Sequence, residues 1–155
     1  MAQIKGFTIK NITNFRGHEQ ELLVQGSIYY KGKKVGFYSD DSWGGEPQID
    51  FDNKEIKAIA KRVCAEYFAE HPDEKLFPHN EPDLEEFFNK VFLLMETERS
   101  FKKNLKKGFL ILATYTQDYN TIMVHGKTLE GIEDWLKDKT GKAKIYTSLS
   151  DFIIK

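Results

Sequence analysis

The spacing of apolar residues changes period twice along this chain, and that change constrains the fold more than any single motif. The first fifty residues alternate as strands do, in the runs Ile4 to Lys10, Glu21 to Tyr30, Lys34 to Ser39 and Gln48 to Phe51. Gly32, set between the β-rich flanks Tyr29-Tyr30 and Lys34-Val35, marks a hairpin because it accepts a positive φ. The period then lengthens. Ile56, Ile59, Ala60, Val63, Tyr67 and Phe68 recur at helical spacing, with Asp52 and Glu55 as the expected cap pair and His71-Pro72 as the stop. A longer helix is predicted from Pro82 to Lys107, presenting Leu84, Phe87, Phe88, Val91, Leu94, Met95, Phe101 and Leu105 on one face before Gly108. Alternation returns in Phe109 to Thr116 and Asn120 to His125, joined through Gln117-Asp118-Tyr119. A short helix from Thr128, a strand near Ala143 to Thr147 and the apolar tail Phe152-Ile153-Ile154 follow.

Strands grouped before helices, rather than interleaved with them, predict an α+β fold: an antiparallel N-terminal meander, two central helices, then a hairpin, a short helix and a strand. No repeat or linker interrupts the 155 residues, so a single domain over 1–155 is expected. Alternation leaves the core face of the meander open, because Val24, Ile28 and Tyr30 fall on one side and Leu23 and Tyr29 on the other.

Charge narrows the choice of partners. Lys and Arg number 23 against 24 Asp and Glu, a net charge of -1, so any nucleic acid must be met by a local patch. Lys102, Lys103, Lys106 and Lys107 form one such patch at a helix end, and Lys31, Lys33 and Lys34 another at a hairpin tip. The ordinary role of the first is to complement the negative end of the helix dipole. The one cysteine, Cys64, excludes an internal disulfide framework and points to a reducing, cytoplasmic compartment. Residues 1–20 carry no apolar h-region, and the apolar run at 108–114 falls far short of the roughly 20 residues of a membrane helix, so no membrane is expected.

Candidate chemistry is sparse. Asp40-Asp41-Ser42-Trp43-Gly44-Gly45-Glu46 gathers carboxylates, a hydroxyl and flexible backbone, but without the alternating ligand spacing of a calcium loop it reads first as a turn. Trp43 and Tyr38, flanking Asp40 and Asp41, are the expected anchors for a protein partner, since aromatic side chains dominate interface energetics. Of the four histidines, His18, His71, His79 and His125, His71 and His79 lie near Asp73 in sequence without a metal-ligand spacing, and His125 has no sequence-local acid or nucleophile to pair with. Cys64, between Val63 and Tyr67 on the apolar side of a helix, is expected to be a buried thiol. No nucleophile elbow, phosphate loop, dinucleotide fingerprint or His-Glu-x-x-His is present, so no catalytic residue, cofactor or metal is assigned.

Two stretches, Ile28-Tyr29-Tyr30-Lys31-Gly32-Lys33-Lys34-Val35-Gly36-Phe37 running into Asp40-Asp41-Ser42-Trp43-Gly44-Gly45, and Phe101-Lys102-Lys103-Asn104-Leu105-Lys106-Lys107-Gly108, resemble small bacterial proteins carried by phages and other mobile elements. That resemblance brings no activity or catalytic residue with it. By analogy with such cargo, the leading expectation is a non-enzymatic inhibitor or adaptor that binds a host defence component, such as one of a CRISPR system. A nucleic-acid-binding accessory protein using the lysine stripes is second, and a metal-dependent enzyme centred on the Asp40 to Glu46 loop is third.

Overall fold

The computed structural model describes residues 1–16, 22–41, 47–75, 83–117 and 120–155. Their elements run β1 (Gln3–Ile4), β2 (Phe7–Arg16), β3 (Leu22–Tyr30), β4 (Lys33–Asp41), β5 (Gln48–Phe51), α1 (Lys54–Glu70), α2 (Leu84–Leu105), β6 (Ile111–Gln117), β7 (Asn120–Gly126), α3 (Leu129–Leu136), β8 (Lys142–Tyr146) and β9 (Ile153–Ile154), with 3-10 turns at Pro72–Glu74 and Leu149–Phe152. This is the α+β order that the change of period predicts. The chain groups into two compact units, Gln3–Leu93 with Lys155, and Leu94–Ile154 with Met1–Ala2. No described helix is long and apolar enough to cross a membrane.

In the first unit, β1 to β5 form an antiparallel meander in the order β5-β4-β3-β2-β1. Lys31 and Gly32 take φ of 48° and 85°, the positive pair that a two-residue primed turn needs to match strand twist. Lys5 and Gly6, at 48° and 89°, make a second such turn inside the stretch expected to run unbroken from Ile4 to Lys10. The core face left open by alternation is settled by register. Phe7 lies opposite Tyr30, Ile9 opposite Ile28, and Tyr38 opposite Ile49, placing Phe7, Ile9, Ile28 and Tyr38 on the buried side. Bulges between Lys10 and Thr13 and between Ile28 and Tyr29 shift the alternation, with Asn11 at φ 57° inside the first.

The helix α1 starts one residue after its actual cap: Asn53, rather than Asp52, accepts the Ile56 N–H at 2.9 Å. Its buried stripe, Ile56, Ala60, Val63, Cys64, Tyr67 and Phe68, follows the helical period. Phe87 and Phe88 of α2 meet Phe7 edge-on at 6.0 and 5.4 Å, while Tyr67 packs against Phe87 and Phe51 against Phe88. All four of Phe7, Tyr67, Phe87 and Phe88 are fully buried, and burial of each such side chain contributes about 1.5 to 3 kcal/mol.

The helix α2 ends at Leu105, two residues before the expected Lys107, and the expected start at Pro82 lies outside the described residues. Gly108 takes φ 88° just beyond it, so that the Gly108 N–H reaches the Leu105 carbonyl and the Phe109 N–H reaches the Asn104 carbonyl. This closes the helix with the left-handed cap that glycine adopts without a Cβ clash.

In the second unit, β6, β7 and β8 form an antiparallel sheet in the order β7-β6-β8. Thr128 caps α3 by accepting the Gly131 N–H at 3.1 Å. Packing of α3 on this sheet buries Ile132 and sets Trp135 edge-on to Tyr115 at 6.0 Å. On the sheet's other row, Leu112 is enclosed and Tyr146 stacks on Phe152 at 4.5 Å.

Candidate functional site

Of the residues expected to anchor a partner, Trp43 lies outside the described residues, as does the side chain of Asp41. Asp40 is half-buried near the end of β4, paired in register with Val24. Tyr38 has no exposed surface: it stacks on Phe92 at 5.6 Å and 18°, and its hydroxyl has no hydrogen-bond partner among the described residues. Burial first, and the Asp40 carboxylate second, push the Tyr38 phenol well above its ordinary range. The ring is thus part of the core of the first unit. Its inward direction follows from strand register, which alternation alone left open.

The lysines expected to touch phosphate are all exposed. Lys102 and Lys103 stand in the last turn of α2, and Lys106 and Lys107 in the turn that follows. Lys102 reaches the buried Glu98 carboxylate at 3.6 Å, so part of this charge is neutralised locally. At the other patch, the exposed Lys31 lays its ammonium over the Tyr30 ring at 5.2 Å.

The histidine and cysteine candidates resolve into local roles. His71 Nδ1 lies 3.0 Å from the Tyr67 carbonyl and the imidazole stacks on Tyr67, holding the C-terminal end of α1; His79 and His18 lie outside the described residues. Among the described residues no three His, Cys, Asp or Glu side chains converge as a metal-ligand set. Cys64 is buried and its Sγ donates to the Asp83 carbonyl at 3.5 Å. Burial, reinforced by Asp83 and Glu86, pushes this thiol up to about 12, which leaves it an inert structural thiol.

His125 gains partners that sequence proximity does not reveal. Its Nε2 lies 2.9 Å from the Ser100 hydroxyl and 3.3 Å from Asn104 Nδ2, two residues one turn apart on α2. Asn104 Nδ2 also donates to the Ser100 carbonyl at 2.9 Å. A hydroxyl facing an imidazole nitrogen is the contact from which serine nucleophiles are activated. Here, however, Ser100 sits within a helix whose N–H groups are committed to the helical ladder, leaving no oxyanion donors in its own turn.

The surface that stands out chemically is one edge of the three-stranded sheet. Both β7 and β8 are edge strands, but they differ in how that edge is protected. Strand β8 carries Lys142 and Lys144, the charged side chains that discourage strand addition. Strand β7, Asn-Thr-Ile-Met-Val-His-Gly, carries no Asp, Glu, Lys, Arg or Pro, and presents Ile122 at 48% and Met123 at 38% exposure on its two faces. The first four residues of β7 are exposed, and Leu129 adds a further exposed apolar side chain at the start of α3. Single-sequence reading finds β7 as a strand but misses that it is an edge, because strand order is a long-range property.

Comparison with protein-family models, curated proteins and solved structures finds no match to the chain. The fold is of the α+β class, and among the described residues its β7 edge carries no Asp, Glu, Lys or Arg.

Proposed function

We propose that this chain is a non-enzymatic protein-binding protein that engages its partner through the edge strand β7. The observation that carries this reading is the contrast between the two edges of one sheet, one bearing lysines and the other uncharged with Ile122 and Met123 exposed. An exposed apolar edge is an aggregation hazard unless it is covered, and a partner strand covers it with main-chain hydrogen bonds and apolar contact together. We infer a finer reading, in which the partner is a component of a bacterial defence system such as CRISPR, from the sequence resemblance of residues 28–37, 40–45 and 101–108 alone.

The alternative is nucleic-acid binding through Lys102, Lys103, Lys106 and Lys107. The two readings place binding energy in different side chains and respond differently to salt. The test is capture from a bacterial lysate with three baits: the wild-type chain, an Ile122→Lys/Met123→Lys variant, and a variant with the four lysines changed to Glu. Protein binding predicts a stoichiometric partner retained at about 0.5 M salt and by the lysine variant, and lost with the edge variant. Capture of nucleic acid that is lost with salt and with the lysine variant, and is indifferent to the edge variant, refutes the proposal.

A further inference from the structure

The contacts around His125 match one protonation state of its ring. The Ser100 carbonyl can only accept, so the Asn104 group facing it at 2.9 Å is the amide nitrogen. That same nitrogen lies 3.3 Å from His125 Nε2, a contact that is a hydrogen bond when Nε2 carries the lone pair, which the Ser100 hydroxyl at 2.9 Å then shares as a second donor. The cluster is satisfied by a neutral imidazole with its proton on Nδ1. Protonation of Nε2 turns an acceptor into a donor facing the Asn104 N–H. The Ser100 hydroxyl can rotate to accept, but the Asn104 amide cannot turn without giving up the Ser100 carbonyl.

Among the described residues, the charge acting on the ring is a cation. From the turn after α2, Lys107 acts on the ring as a cation, and Phe109 packs at 6.4 Å with the Lys127 ammonium over its own ring at 5.8 Å. Across the sheet, Leu112 and Tyr146 share the row of His125. Burial and Lys107 both lower the proton affinity of the imidazole below its ordinary value, in agreement with the geometry.

We propose that Ser100, Asn104 and His125 form a pH-sensitive clasp, closed between α2 and β7 while the imidazole is neutral and opened by its protonation. The clasp is independent of the protein-binding reading, since it rests on the side-chain contacts of Ser100, Asn104 and His125 and not on the exposed Ile122 and Met123. The sign follows from linkage. A group whose proton affinity is lower in the folded chain contributes stability that is complete above the unfolded value, about 6.5 for histidine, and is lost as pH falls from there toward the folded value. Each unit between the two values corresponds to a tenfold fall in the ratio of closed to open clasp.

The test is nitrogen-15 NMR of the intact chain between pH 5 and 8, with the His125 ring assigned through bonds to its backbone, together with amide exchange corrected for intrinsic rates. The clasp predicts a proton on Nδ1 at pH 7.5 and titration below 6.5. It also predicts protection at residues 100–107 and 122–126 that falls on acidification by tenfold per unit of that depression, while the first half of α2 is unchanged. In Asn104→Asp, a carboxylate beside the ring should reverse the shift and raise the titration above 6.5. A proton on Nε2 at neutral pH, titration of the wild-type ring at or above 6.5, or a folded Asn104→Asp variant that titrates like the wild type overturns the proposal. If that variant does not fold, the wild-type tautomer and titration decide it alone.

Discussion

Replacing Phe88 by Ala removes the ring at the centre of the aromatic cluster in the first unit. The ring has no exposed surface and meets Phe7 at 5.4 Å, Phe87 at 5.1 Å and Phe51 at 5.7 Å, the first two nearly perpendicular. Truncation of a buried Phe costs about 3 to 5 kcal/mol, combining lost transfer energy with the cavity left behind. Two edge-to-face pairs, each contributing about 0.5 to 1.5 kcal/mol beyond area, keep this site out of the lower half of that range, so we expect about 4 kcal/mol. That is a large fraction of the roughly 5 to 15 kcal/mol that holds a domain folded. Urea unfolding followed by far-UV circular dichroism reads it as a lowered midpoint, and a thermal scan as a fall of roughly 8 to 16 °C at about 2 to 4 °C per kcal/mol. Phe37→Ala on β4 is the control, since that ring is 37% exposed, and it should cost about 1 kcal/mol or less. A Phe88→Ala cost below about 1 kcal/mol, or one equal to that of Phe37→Ala, refutes the assignment of the inward face of α2.

Three further outcomes follow from local geometry. Gly108→Ala should destabilise by about 1 to 2 kcal/mol in urea unfolding, because φ 88° is a conformation that a Cβ resists. Asp151 accepts from the Thr147 and Ser148 N–H groups at 2.7 and 3.0 Å, which holds its carboxyl below the usual range. Asp151→Ala should therefore cost about 1 kcal/mol above pH 4, and the difference from wild type should shrink as pH falls through the folded value and the carboxylate is protonated. Cys64 should react with a disulfide reagent at pH 8 only as fast as the chain opens, because with its thiol near 12 only about 1 in 10⁴ is thiolate at that pH.

What could be read from the sequence follows the range of the interactions involved. The stripes of α1 and α2, the stop at Gly108 and the cap at Thr128 depend on residues within one or two turns, and a linear reading resolves them. The turn at Lys5-Gly6 escaped because its flanks, Ile4 and Phe7, continue the same apolar pattern on either side. The inward direction of Tyr38 depends on register across β3, β4 and β5, and a bulge between Ile28 and Tyr29 reverses the alternation partway. Ser100 and His125 lie 25 positions apart, and only the packing of α2 on the three-stranded sheet brings them together. The β7 edge is invisible for the same reason: the uncharged run is plain in the sequence, but its place at the side of the sheet is set by β8 pairing with β6 instead.

The most direct test of the protein-binding reading is a hydrogen-exchange footprint of the chain with its captured partner, read peptide by peptide against the free chain. Strand addition predicts the largest gain in protection at residues 120–126, from new main-chain hydrogen bonds along β7, with little change at 102–107. Protection concentrated at 102–107, with β7 exchanging as in the free chain, would contradict the account and place the interface on the lysines.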